Sequence, residues 1–357
     1  MTHDAVSLAQ IVAFLVAIMV LAHVCADEGL FESLGTKVDF LARGSSTRLL
    51  ALSIGFAALV TAALSLDATV VLLTPVLIAA SAAHPYRSHA YASVRLSNSA
   101  STLLPVSNLT NLLVFASTGL SFIGFAWAML PVWIVAIAAE YLALRWWFRK
   151  ELRQPYAPAV ATETALPLFP LAVVIVVLLG LASGATPVIP AAAGAILLGA
   201  YALIRGNTTW KGLWGAANLP FAVLIFVWAF VVSALGSTFV GDWFDDVMPS
   251  GTGLGSLLLI ALVAMIAANV VNNLPATLLL LPAAAAAGPV AVLALLIGVN
   301  VGANLTIIGS LANLLWRQSG GRELSTLRGF HALGFATTPF IVALCTVVLW
   351  AWTSLIW

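Results

Sequence analysis

The sequence predicts an all-α polytopic membrane protein built as an inverted repeat, with two re-entrant hairpins and two discontinuous transmembrane helices. Three observations carry this expectation. The 357 residues are 62% hydrophobic and 8% charged, with mean hydropathy +1.10, whereas a soluble domain carries about a quarter charged residues. All 14 lysines and arginines fall into five short stretches. Polar clusters recur in the same order in the two halves of the chain.

In chain order, residues 8–25 read as a retained first helix, because "MTHDAVSLAQIV" offers no basic segment of the kind that opens a signal peptide. Residues 27–48 hold Lys37, Arg43 and Arg48. Residues 49–83 form the first hairpin, with the polar tip "SLDAT" (65–69), and 84–95 hold Arg87 and Arg95. A polar span follows at 96–117, then an apolar one at 128–147, closed by Arg145, Arg149, Lys150 and Arg153. A linker at 151–165 leads to spans at 166–182 and 186–204, then to Arg205 and Lys211. A span at 217–238 precedes an acidic loop with Asp242, Asp245 and Asp246. The second hairpin occupies 252–287, with the tip "NVVNNLPAT" (269–277). A second polar span covers 290–315, a basic stretch holds Arg317, Arg322 and Arg328, and the last span is 331–355.

The positive-inside rule makes the five basic stretches cytoplasmic. Both termini then lie outside, and eight crossings accompany the hairpins. Each hairpin leg of about 15–17 residues makes roughly 25 Å of helix, short of the hydrocarbon thickness, which favours re-entrant geometry over full spans. The order of elements in residues 1–150 repeats, inverted, in residues 166–357. Local echoes accompany it: "DATVVLLTP" (67–75) with "PATLLLLP" (275–282), and "SNLTNLL" (107–113) with "GSLANLL" (309–315). The second half has two additional helices, 166–182 and 186–204. Inverted repeats with polar, interrupted helices are the hallmark of secondary transporters, whose sites lie near the midplane.

Four clusters carry the polarity: Asp67 with Thr69, "SNSASTLLPVSNLTN" (97–111), "NVVNN" (269–273) and "NVGANLTIIGSLAN" (300–313). Pro105, Gly302 and Gly309 can break a helix there. Asp67 sits in an apolar segment with no basic neighbour in sequence, which makes it a candidate proton site and alternatively a sodium ligand. The candidate substrate-binding residues are Asn98, Ser99, Ser107, Asn108, Asn111, Asn272, Asn273, Asn300, Asn304, Thr306, Gly309 and Ser310. The competing role for any one of these is helix–helix packing in lipid. Glu140 lies within two turns of Arg145 and is expected to pair with it or reach the interface. His23 and His331, near span ends, are expected to be packed or interfacial. Trp146, Trp147, Trp316, Trp350, Trp352 and Trp357 fit an aromatic belt. Cys25 and Cys345 are too few for a thiolate metal site and too far apart in sequence to suggest a disulfide framework; no metal or cofactor is expected. A net charge of +1 gives no reason to expect nucleic acid as a partner.

The chain resembles the ArsB-type arsenite permeases, within a larger superfamily of inverted-repeat ion transporters. The resemblance rests on "DEGLFE" (27–32), "DATVVLLTPVL" (67–77), "VSNLTNL" (106–112), "NNLPATLL" (272–279) and "IGSLANLLW" (308–316), in family order across nearly the whole chain. It implies a cell-membrane permease with a scaffold part and a mobile part. The implied activity is efflux of arsenite and antimonite as hydroxides, driven by protons or by an ATPase subunit. Its partners would be the lipid bilayer, the small inorganic solute and a coupling proton or sodium; a homodimer with a second copy of the chain is one of the states the sequence leaves open. Members usually have two more N-terminal helices, which would account for the unequal halves. Asp67 matches the acid of the family's Asn-Asp-Gly hairpin motif. Asn272, Asn273 and Pro275 match the second hairpin, and Ser107, Asn108, Gly309 and Ser310 match the breaks. Where the family carries acids before the two breaks and a lysine near the second, this sequence has Asn98, Asn300 and Asn304.

As(OH)3 is neutral near pH 7 and suits Asn, Ser and Thr hydrogen bonds, whereas a carboxylate substrate asks for more positive charge. A sodium–proton antiporter is the principal alternative, followed by an anion or carboxylate transporter of the same superfamily. A channel is disfavoured by the paired breaks. An intramembrane protease, the enzyme alternative, lacks a second membrane aspartate or a Ser–His pair.

Overall fold

A computed structural model describes residues 2–66, 69–74, 77, 87–154, 165–183, 185–220, 223, 227, 247–317 and 325–357. Among these the regular structure is helical, with no strand. The α-helices, in order, are α1 (Thr2–Asp27), α2 (Leu30–Ala42), α3 (Ser46–Leu64), α4 (Arg87–Ser99), α5 (Leu109–Thr118), α6 (Phe122–Trp147) and α7 (Leu168–Ala182). They continue with α8 (Val188–Arg205), α9 (Trp210–Ala217), α10 (Leu254–Val271), α11 (Asn273–Ala287), α12 (Pro289–Asn300), α13 (Leu311–Trp316) and α14 (Leu327–Ile356).

Five of the described helices, α3, α6, α8, α10 and α14, are long and apolar enough to cross a bilayer, and α1 with α2 forms a sixth candidate bent by 60°. The bend falls at Gly29, whose φ of 75° ends one helix and begins the next. Hydroxyl caps set several other starts. Ser45 accepts from the Arg48 N–H, Ser121 from Gly124 and Thr326 from Gly329, so the first orphan donors of α3, α6 and α14 are satisfied without water. Two apolar cores result. One gathers α1–α4, α7 and α8; the other gathers α5, α6, α10–α12 and α14.

Several expectations change. The basic stretch 27–48 contains α2, which buries Phe31, Val38 and Ala42. The hairpin legs α3 and α10 are 19 and 18 residues long, or about 28 Å at 1.5 Å per residue. They therefore reach spanning length instead of stopping short: α3 begins three residues before the expected hairpin, and α10 runs three residues into the expected tip. Each ends at a non-glycine residue with positive φ: Ser65 (φ 114°) and Asn272 (φ 80°). Trp316 does not join an aromatic belt. It is 1% exposed and packs against Tyr91 and Phe330. The polar spans 96–117 and 290–315 are each two helices divided by irregular backbone. The expected span 217–238 lies largely outside the described residues, as does the acidic loop at 242–246. Asp67 lies outside them too.

Candidate functional site

The site grows from the two breaks. α4 ends at Ser99, and 3-10 turns at Ala100–Thr102 and Pro105–Ser107 lead into α5. α12 ends at Asn300, and a 3-10 turn at Val301–Leu305 leads into α13. Each interruption frees backbone carbonyls that, away from water, need donors. Asparagine supplies two donors from one amide. Asn111 Nδ2 donates to the carbonyls of Ser101 (2.5 Å) and Leu104 (2.8 Å). Asn313 Nδ2 donates to the carbonyls of Ala303 and Thr306, both at 2.9 Å. Adding 202 to each number of the first set gives the second. At these positions the two breaks are therefore built alike.

They also grip each other crosswise. Asn98 Nδ2 donates to Asn313 Oδ1 at 2.7 Å, and its counterpart Asn300 Nδ2 donates to Asn111 Oδ1 at 2.6 Å. Such an exchange is what a two-fold relation between the breaks produces. It also fixes which way every amide faces. Backbone carbonyls hold Asn111 and Asn313, and these in turn hold Asn98 and Asn300, so none can flip without losing bonds. Asn300 Oδ1 accepts from Asn108 Nδ2 (3.0 Å) and Thr110 Oγ1 (2.8 Å). Asn98, Asn111, Asn300 and Asn313 are fully buried.

One side of this ring carries charge. Arg95 and Glu140 are 1% and 0% exposed, and Arg95 Nε and Nη2 donate to the two carboxylate oxygens at 2.5 and 3.2 Å. Glu140 Oε1 also accepts from Ser99 Oγ (2.7 Å) and Asn304 Nδ2 (3.1 Å). Arg95 Nη2 reaches Thr337 Oγ1 on α14 at 3.0 Å. Asn304 Oδ1 accepts from Asn98 Nδ2 at 2.9 Å, which joins the ion pair to the asparagine ring. Both charges are thus compensated and hydrogen-bonded, the condition for keeping an ion pair in a dry interior.

The helix ends on either side of the hairpin kinks brace the breaks. The Asn273 N–H donates to the Gly309 carbonyl and Asn272 Nδ2 to the Ile308 carbonyl, both at 3.0 Å. Ser107 Oγ donates to the Ala62 carbonyl at the end of α3 (2.9 Å). Asn269 clamps the second break from α10, its Oδ1 accepting from the Thr306 N–H and its Nδ2 donating to the Gly302 carbonyl. Gly309 passes so close that a Cβ there would lie 2.3 Å from the Ala303 oxygen.

Of the residues proposed from sequence, Asn98, Ser99, Asn108, Asn111, Asn300 and Asn304 converge on the ring and its ion pair. Asn272, Asn273, Thr306, Gly309 and Ser107 join hairpin to break. Ser310 caps α13 through the Asn313 N–H. Sequence reasoning missed Asn313, although "SLAN" and "NLTN" place it opposite Asn111. It also missed Asn269 and Thr110. Two readings are corrected. Arg95 is no cytoplasmic loop residue, because α4 carries it inward to Glu140. Glu140 does not pair with Arg145, whose guanidinium instead donates to the Tyr141 hydroxyl. His331 Nε2 accepts from the Ile307 N–H (3.3 Å), and His23 lies 3.3 Å from Asp27 on the same helix.

An arsenical pump membrane protein of Escherichia coli is 29% identical over 336 residues, covering 85% of this chain and 77% of the relative. One of Yersinia enterocolitica is 28% identical over 333 residues, with the same coverage. The crystal structure of the Alcanivorax borkumensis YdaH transporter, described as having an unusual topology, shares the fold. Its TM-score is 0.65 at 17% identity, covering 97% of this chain and 85% of that one. The citrate transporter model, CitMHS, matches residues 5–294. That match takes in both hairpins and the first break, and the chain belongs to this family of multi-pass membrane transporters.

Proposed function

We propose that the protein exports trivalent arsenic or antimony as their neutral hydroxides in exchange for protons, with Asp67 as the proton-coupling residue. In this reading residues 1–150 and 166–357 are two oppositely oriented membrane repeats joined by the linker 151–165, with both termini outside. One observation carries the substrate class. The ring between the breaks is made of neutral amides and hydroxyls, and the two charges that touch it, Arg95 and Glu140, cancel. A citrate anion needs cations, and the guanidinium beside this ring is already held by a carboxylate and two threonines. A trihydroxide needs only donors and acceptors, which asparagine supplies together. The names of the arsenical pump relatives agree with this.

The test is uptake into everted vesicles under an imposed pH gradient, measured for arsenite, antimonite and citrate. Gradient-driven metalloid uptake that Asp67→Asn abolishes is the expected result. Citrate uptake without metalloid uptake from folded protein overturns the substrate; metalloid uptake that Asp67→Asn leaves intact overturns the coupling residue.

A further inference from the structure

The two-fold match between the breaks fails at the side-chain oxygens of Asn98 and Asn300. Asn300 Oδ1 takes two donors, Asn108 Nδ2 and Thr110 Oγ1. Its counterpart, Asn98 Oδ1, is buried and accepts a hydrogen bond from no described residue. The offset of 202 explains why. The positions that match Asn108 and Thr110 are Ser310 and Ala312. Ala312 has no donor, and the Ser310 hydroxyl, which accepts from the Asn313 N–H, makes no hydrogen bond to Asn98 Oδ1. The orientation of the Asn98 amide is not a matter of choice, since its Nδ2 is held by Asn304 Oδ1 and Asn313 Oδ1. Turning it over would place oxygen against oxygen.

A buried acceptor left without a donor is costly, and native interiors seldom keep one without a purpose. This acceptor is also a strong one. Its own amide donates twice, once into a chain that runs through Asn304 to the Glu140 carboxylate, and such chains polarise the carbonyl at their far end. Glu140 is neutralised by Arg95, so the spot offers a neutral lone pair without the net negative charge a cation would favour.

The geometry points to an asymmetric docking point: one hydroxyl of the transported solute donates to Asn98 Oδ1, in the place that Thr110 fills on the other side. This rests on the neutral-hydroxide reading and adds to it. The solute sits off the two-fold axis, toward Ala312, and the missing donor at residue 312 is what makes room in the hydrogen-bond scheme. Solutes that carry at least one O–H are accepted; those with only acceptors meet an acceptor.

Ala312→Thr and Ala312→Val test this as a matched pair, because they have the same shape and only threonine donates. Arsenite KM is measured in everted vesicles, with thermal unfolding of each purified variant as the control for folding. Ala312→Thr is expected to raise KM at least tenfold over Ala312→Val. Ala312→Ser adds a single atom and carries the same expectation if the larger pair does not fold. Equal KM values for folded threonine and valine variants, or for folded serine variant and wild type, overturn the docking point while leaving metalloid transport standing. Wild-type vesicles that take up no metalloid overturn both.

Discussion

Asn304 Nδ2 lies 3.1 Å from Glu140 Oε1, a hydrogen bond between residues 164 positions apart that ties the second helix break to a helix of the first half. The carboxylate it touches also takes Arg95 and Ser99, both on α4, so one buried group on α6 gathers donors from two other elements. This contact makes the ion pair a structural pin between the halves as well as a neutral wall of the site.

Removing one member of that pair leaves an uncompensated charge in the interior, which typically costs about 3–5 kcal/mol. Glu140→Ala is therefore expected to lose a large part of its thermal stability in detergent. Arg95→Met is expected to do the same. The double variant Arg95→Met/Glu140→Leu removes both charges together and should sit closer to wild type than either single variant. It will not recover fully, since Ser99 and Asn304 lose their acceptor. Unfolding curves of the three proteins in one detergent decide it. A double variant as unstable as the sum of the singles would mean that the charges do not interact.

Asn111 and Asn313 each satisfy two break carbonyls, and an unsatisfied buried group costs about 1–3 kcal/mol. Asn111→Ala and Asn313→Ala should consequently destabilise the protein by similar amounts. Both should slow transport more than a surface substitution does. The comparison of the two is the informative quantity, because their bonding is equivalent under the 202 offset. If one were silent and the other severe, the equivalence of the breaks would be a matter of shape alone.

Much of this was legible in the sequence because helix breakers and asparagines in apolar runs are conspicuous. Pro105, Gly302 and Gly309 marked the breaks, and the echo of "SNLTNLL" in "GSLANLL" paired them. Arg95 was not legible. Counting cations assigns each to the nearest aqueous stretch, and nothing local reveals a carboxylate 45 residues away that compensates one in the interior. Glu140 was misread for the same reason, since Arg145 is its neighbour in sequence and Arg95 its neighbour in space. The unpaired Asn98 acceptor could not be seen at all. It exists only in the comparison of two hydrogen-bond sets.

Gly309 provides the sharpest test of how tightly the second break is closed. A Cβ at this position would lie 2.3 Å from the Ala303 oxygen and 2.6 Å from Asn269 Oδ1, and the first of these is backbone that has no rotamer to move into. Its counterpart in the first break is Ser107, whose side chain instead finds the Ala62 carbonyl, so the constraint belongs to this break alone. Gly309→Ala must push the Val301–Leu305 turn away from Ile308–Gly309, and the Asn273 N–H to Gly309 carbonyl bond moves with it. The expected outcome is a marked loss of both thermal stability and transport. Gly255→Ala is the control. It is the second residue of α10, where an added methyl group would meet nothing within 4 Å, so alanine there should hold or slightly raise stability. Thermal midpoints that fall for Gly309→Ala and hold or rise for Gly255→Ala would show that the break is packed against Asn269 as described; a Gly309→Ala protein as stable and active as wild type would show that it is not.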